Sequence, residues 1–280
     1  MLKIVMDTAG DLAPGWENDY QINLIPINII HEGKSYLQGI DLKYEDFYKL
    51  VDSSGTIPTT SQPTPYQFVE FYRKIAKKGD TVLSIHVTEK LSGTMTSANQ
   101  AAKELQGEMN IVPFDSASGS ISMGMMCKEA RLMDCAGSSL EEILKRMDFI
   151  RRNMQLTATL DTLKYARLSG RVKYLQAALA SILQVKAIME LKDGIIEVTE
   201  KARSRAKSIE LVLSIMEKKL SGKKINAGVV HARDPQSGQE LLQKVLQRFD
   251  CAEASLSELS ISLAAHFGPK SLVFVAYPVS

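Results

Sequence analysis

The sequence predicts an α/β protein of two domains, an N-terminal α/β domain on a mainly parallel sheet followed by a C-terminal α+β domain. Three observations predict it. In the first half, short apolar runs alternate with amphipathic segments, and the crossovers are long enough for parallel pairing. In the second half, two β-rich runs flank Asp193-Gly194, a hairpin signal. The 280 residues, 45% of them hydrophobic, exceed one ordinary domain and can bury a sizeable core. The boundary is expected near 158, giving domains 1–158 and 159–280, with room for a discontinuous arrangement.

The elements follow in chain order. Residues 2–6, LKIVM, form an apolar strand ending at Asp7, where open α/β sheets place ligand loops. Phe68, Phe71, Tyr72 and Ile75 fall at helical spacing over 64–78, with Pro65 at the start and Gly79 at the stop. TVLSIHV (81–87) is a strand, 94–106 a helix, 109–114 a strand and 121–136 a helix. A further helix over 139–153 starts at Ser138 or Ser139, with Glu141 and Glu142 in its first turn. Then come a strand at 155–160, helical stretches at 161–167 and 171–183, and strands at 185–191 and 195–200. Helices at 204–220 and 235–248 and strands at 225–231 and 271–277 complete the reading.

Composition excludes several function classes. Lysine and arginine number 34 against 32 acids, so no concentrated basic face is expected and nucleic acid is not an expected partner. The start, MLKIVMD, carries an acid at position 7 and is not a signal peptide. No apolar run reaches the roughly 18 residues of a membrane span, so stable membrane insertion is not expected. Cys127, Cys135 and Cys251 are too few and too scattered for a disulfide framework or zinc site. The expectation is a soluble, reduced, cytoplasmic protein without a metal or cofactor.

Familiar catalytic motifs fail on single residues. Gly33-Lys34-Ser35 resembles the end of a phosphate loop, but Asn28 stands where that loop needs glycine. The hydrolase elbow fails because Ser120 occupies the first glycine position before Ser122 and Gly124. His31, His86, His231 and His266 form no metal-binding spacing, and His86 reads as a core residue of its strand.

Three hydroxyl-rich segments remain: Thr59–Pro65, Leu91–Thr94 and Asp115–Ser120. Each alone reads as helix capping. Several of them at strand ends of one sheet make a place that suits a carboxylate or phosphate, because helix N-termini and hydroxyls donate without full charge. His266, beside Gly268-Pro269, adds a donor on a stiff turn.

These segments together resemble the DegV family. The landmarks stand in order as Asp7-Thr8-Ala9-Gly10-Asp11-Leu12, Thr60-Ser61-Gln62-Pro63-Thr64, Leu91-Ser92-Gly93-Thr94, Asp115-Ser116, Gly170-Arg171-Val172, Glu200-Lys201-Ala202-Arg203-Ser204-Arg205 and His266-Phe267-Gly268-Pro269. The resemblance runs from residue 3 to residue 277. It implies the two-domain DegV-type fold with an acyl-chain tunnel. It also implies a non-catalytic subunit that binds a long-chain fatty acid and presents its carboxylate to a partner ATP-binding fatty acid kinase subunit, which forms an acyl phosphate. Thr60, Ser92 and His266 would bind the carboxylate. Ser61, Gly93, Thr94, Asp115, Ser116, Arg171 and Gly268 would support the head-group region, and Arg203 and Arg205 would face the kinase. Residues 121–133 with Ile188, Met189 and Leu191 are candidate tunnel walls, methionine being adaptable to ligand shape. Phe267 and Ser169 depart from the family's usual threonine and glycine. Two other classes stay open: an acyl hydrolase using Ser92 or Ser116 with His266 and Asp7 or Asp115, and a stand-alone lipid or anion sensor.

Overall fold

The structure, a computed structural model, describes residues 2–173 and 185–280. Its chain divides into two compact units. The first comprises the residues up to Arg151 together with Ser260–Ser262, and the second comprises Arg152–Leu259 and Leu263–Ser280.

In chain order the first unit contains β1 (Lys3–Asp7), α1 (Trp16–Asp19), β2 (Ile22–Ile25), β3 (Asn28–His31), β4 (Lys34–Leu37), α2 (Tyr44–Ser54) and β5 (Thr59–Ser61). It continues through α3 (Pro65–Ile75), β6 (Thr81–His86), α4 (Thr94–Glu104), β7 (Asn110–Asp115) and α5 (Ile121–Cys135) to α6 (Leu140–Asn153). The main sheet has the order β2-β1-β6-β7 and is parallel throughout. Its central strands β1 and β6 are buried almost throughout because both of their faces are covered. Val5 and Val82 pack under α3 and α4 with Phe68, Tyr72, Ala98 and Leu105. The alternate residues Ile4, Met6, Leu83 and Ile85 are buried on the other face, where α5 packs against β1 and β6.

A small antiparallel sheet, ordered β4-β3-β5, lies in the same unit. The β3–β4 turn takes Glu32 (φ 48°) and Gly33 (φ 76°) into the left-handed region, which glycine accepts without Cβ strain. Gly33-Lys34-Ser35 is therefore a hairpin corner. Thr59–Ser61, expected as loop, pairs with β3 with Thr60 opposite Ile29. α3 begins with a capping box in which the Thr64 hydroxyl accepts from the Gln67 N–H and the Gln67 side chain accepts from the Thr64 N–H. Ser139 and Glu142 form the same reciprocal pair ahead of α6.

The second unit contains β8 (Gln155–Leu160), α7 (Lys164–Ser169), β9 (Val172–Lys173), β10 (Lys186–Lys192), β11 (Ile195–Ala202) and α8 (Arg205–Leu220). β12 (Ile225–His231), α9 (Pro235–Arg248), β13 (Cys251–Glu258), α10 (Ile261–Phe267) and β14 (Leu272–Pro278) follow, α10 beginning in the Ser260–Ser262 segment of the first unit. The strands form a seven-stranded mixed sheet ordered β13-β12-β14-β8-β10-β11-β9. The boundary expected near 158 falls inside β8, which pairs antiparallel with β10 and β14 at the middle of this sheet. β10 and β11 form the expected hairpin, with Asp193 (φ 50°) and Gly194 (φ 77°) at its corner. α8 closes a core of Ile188, Val212, Leu213, Met216, Val229, Leu272 and Phe274. Ser204 caps α8 and Asp234 caps α9, each accepting from the third N–H.

The expected helix over 161–167 is displaced to Lys164–Ser169. The expected helix over 171–183 lies outside the described residues except at its start, where Val172–Lys173 is a short strand beside β11. Among the described residues no helix is long and apolar enough to cross a membrane.

Candidate hydroxyl and histidine site

In the first unit, the loops following β1, β6 and β7 stand at the carboxyl ends of parallel strands, the usual ligand side of such sheets. After β6 the chain turns tightly, with the N–H groups of Leu91 and Ser92 both donating to the Thr88 carbonyl at 3.1 and 3.2 Å. The turn leaves Ser92 half-buried just ahead of α4. Its Oγ lies 2.8 Å from Thr94 Oγ1 and accepts from the Thr94 N–H at 3.3 Å. The Gln62 side chain lies over Gly93, where an added Cβ would come within 2.7 Å of Gln62 Nε2. The Thr60-Ser61-Gln62 segment and the Leu91–Thr94 turn are thus packed together. Thr60 and Ser61 are half-buried on β5, where Ser61 pairs with Asn28 and Asn28 Nδ2 donates to the Gln62 carbonyl at 3.1 Å.

Asp115 and Ser116 shape the third loop. Asp115 Oδ1 accepts from the Ala117 N–H at 2.8 Å, and buried Ser116 Oγ accepts from the Ser118 N–H at 3.1 Å. Both are local turns of the kind short polar side chains make with their own backbone.

A polar chain that sequence reasoning missed runs beneath these loops. Asp7 Oδ2 lies 3.0 Å from His86 Nδ1, His86 Nε2 lies 2.7 Å from Ser84 Oγ, and Tyr72 Oη donates to Ser84 Oγ at 2.8 Å. All four side chains are fully buried. Asp7 also accepts from the N–H groups of Ala9 and Val87, both at 2.9 Å, so it fixes the starts of two of the loops. Burial pushes the Tyr72 hydroxyl well above the usual tyrosine range, opposed by its bond to Ser84, and the Asp7 charge pushes it further up. The signal was Ser84 and His86 two apart in an apolar strand, which puts both on one face.

A second missed network centres on Asp11. Ser120 Oγ donates to Asp11 Oδ2 at 2.5 Å and the Ser260 N–H donates to Oδ1 at 2.7 Å. Gln38 Oε1 accepts from the Ser262 N–H at 2.9 Å, while its Nε2 donates to the Thr8 carbonyl. Burial raises the Asp11 carboxyl to about 7, opposed by the serine bonds. No sequence signal links 11 with 260, since the contact spans almost the whole chain.

The second unit carries the histidine. His266, expected on a stiff turn, is half-buried near the end of α10. Burial, reinforced by the positive charge of Arg171, lowers its ring to about 4, so it is neutral at physiological pH. Gly268 takes φ 78° and packs on Tyr165, where an added Cβ would lie 2.6 Å from ring carbon Cδ2. Arg171 is exposed, and its Nη1 turns back to the Ser169 carbonyl at 2.5 Å. Arg203 is exposed. Arg205 is not, because its guanidinium is half-buried against Lys270 and Asp234.

The arrangement also weighs against the hydrolase alternative. The Asp7 carboxylate is taken up by His86 and two backbone N–H groups, and Ser116 is buried in its own turn. Among the described residues no group of acidic, cysteine and histidine side chains is arranged to hold a metal ion.

A family model described as "Uncharacterised protein, DegV family" matches residues 1–279. The DegV domain-containing protein lin2658 of Listeria innocua is 32% identical over 97% of this chain and 96% of its own. Among solved structures, a DegV family protein from Thermus thermophilus, described as fatty acid binding, superposes with a TM-score of 0.91 at 30% identity, covering 99% of each chain. A stearic acid-binding protein from Eubacterium ventriosum superposes with a TM-score of 0.92 at 25% identity, covering 99% of this chain and 98% of its own. With its parallel sheet, its seven-stranded mixed sheet and landmark residues running along both, the chain belongs to the DegV family.

Proposed function

We propose that this protein binds a long-chain fatty acid and holds its carboxylate through Thr60, Ser92 and His266. The bound acid is then presented to a separate ATP-binding kinase subunit that forms the acyl phosphate. The observation that carries the reading is the Ser92–Thr94 hydroxyl pair at the start of α4, packed through Gly93 against the segment that bears Thr60. Its donors are neutral and stand at the positive end of a helix dipole. Several solved relatives are described as fatty acid-binding proteins, which supports the ligand class.

The chemistry of a fatty acid fits these groups. An acyl tail gains about 0.8 kcal/mol for each buried methylene, so the tail provides most of the affinity. Removing the head group from water is costly unless it is hydrogen-bonded. Hydroxyls and a neutral imidazole supply bonds without neutralising the carboxylate, which stays nucleophilic for attack on a phosphoryl group. The buried methionines of α5, Met123, Met125 and Met126, are candidate walls for the tail. Arg203 is a candidate for the kinase-facing surface.

Organic extraction of native protein followed by mass spectrometry is expected to yield long-chain fatty acid. The purified chain alone should release no phosphate from ATP, and adding the ATP-binding subunit should produce acyl phosphate. Extracts without fatty acid, together with no heat on titrating oleate into delipidated protein, would overturn the reading.

A further inference from the structure

We propose that Arg205 is a positioning residue for the His266 head-group contact, acting through the backbone of the turn that follows the histidine. This rests on the fatty-acid reading above. Arg205 opens α8, yet its side chain is directed at a distant turn. Its Nη1 donates to the Lys270 carbonyl at 2.6 Å, and its Nη2 donates to Asp234 Oδ2 at 3.2 Å. Lys270 lies four residues beyond His266 and has φ 58°, a left-handed conformation that a lysine adopts only when its surroundings impose it.

The rest of the turn is held from other sides. The Lys270 N–H donates to the Ala232 carbonyl at 2.6 Å. Ser271 Oγ donates to the carbonyls of Phe267 and Gly268 at 2.9 and 3.0 Å. Gly268 rests on the Tyr165 ring. Arg205 supplies the charged donor in this set, and a bond from an ionised donor is stronger than a neutral one. The planar fork of arginine reaches the Lys270 carbonyl and the Asp234 carboxylate together, whereas a lysine ammonium is a single point. Without Arg205 the strained Lys270 backbone relaxes, and the end of α10 moves with it. A histidine that bonds a carboxylate tolerates little displacement. Arg205 therefore acts on ligand affinity from within the second unit.

The test titrates oleate into delipidated full-length protein and follows the His266 ring nitrogens by NMR. Arg205→Met is expected to weaken oleate by about tenfold and to shift the His266 ring signals and their pH titration. Arg205→Lys should recover part of both. Arg248→Met, which breaks the exposed pair with Glu210 in the same unit, should leave both unchanged. A folded Arg205→Met protein with wild-type oleate affinity and wild-type His266 signals overturns the proposal. If Arg205→Met does not fold, Asp234→Asn replaces it, since asparagine keeps the α9 cap but removes the partner charge. That variant is expected to shift the same His266 signals in the same direction, and wild-type signals overturn the proposal. If wild-type protein takes up no oleate, the fatty-acid reading fails, while the His266 signals still decide whether Arg205 sets the ring.

Discussion

The Ser92 Oγ lies 2.8 Å from Thr94 Oγ1 and accepts from the Thr94 N–H. Ser92→Ala removes a neutral hydroxyl, which is worth roughly 0.5–1.5 kcal/mol. Oleate affinity should fall by about two- to tenfold, with the unfolding midpoint nearly unchanged. A calorimetric titration showing wild-type affinity would remove Ser92 from the site. Gly124 offers a contrasting test in the core. A Cβ there would meet the Asp11 carbonyl at 2.3 Å, and backbone cannot swing aside as a flexible side chain does. Gly124→Ala is expected to lower unfolding stability by about 1–3 kcal/mol, measured in urea, although alanine is the better helix former. At this scale the sequence is legible where a motif is local, as in Leu91–Thr94. It is silent where chemistry depends on distance, as in Asp11 with Ser260 or Arg205 with Lys270.

Elements with apolar periodicity and chemical punctuation are legible from the chain. α3 has its capping box and Pro65, and the β10–β11 hairpin has Asp193-Gly194. Those that the sequence leaves unread lack one or both signals. β13 reads CAEASLSE, with small and acidic residues on a strand that, among the described residues, pairs on one side. α10 is seven residues long, and the N–H groups of Ser260 just ahead of it and Ser262 in its first turn donate to Asp11 and Gln38, distant in sequence. β5 is three residues of hydroxyl-bearing chain that resembles a loop until β3 supplies its partner. The capping box gives a direct prediction. Thr64→Ala removes the acceptor for the Gln67 N–H and is expected to cost about 1 kcal/mol, read as a lower urea midpoint at unchanged m-value. The same change sits just beyond the Thr60-Ser61-Gln62 segment, so oleate affinity should fall with it if that segment forms the head-group contact.

Across the whole molecule, buried Asp11 and half-buried His266 titrate in opposite senses. Asp11 in the first unit rises to about 7, so it is protonated in the fold where the unfolded chain is already ionised. Its stabilising contribution is fully present below about pH 4 and is lost as pH rises toward 7. His266 in the second unit falls to about 4, so the fold keeps it neutral where the unfolded chain binds a proton. Its contribution is present above about pH 6.5 and is lost as pH falls toward 4. Each group alone changes stability by about 1.4 kcal/mol per pH unit at most, so opposite slopes belong to the two units. Native-state hydrogen exchange on delipidated protein, corrected for intrinsic rates, separates them strand by strand. Between pH 5 and 6, protection in β1 and β6 should fall with rising pH, and protection in β12 and β14 should rise. Asp11→Asn keeps an acceptor for Ser260 and a polar partner for Ser120, and it should flatten the first trend alone. His266→Gln should reduce the second alone, leaving the part due to His231 at the end of β12, whose ring is also lowered by burial. Parallel slopes in both sets of strands, or slopes unaltered by these substitutions, would mean that neither group controls the pH response.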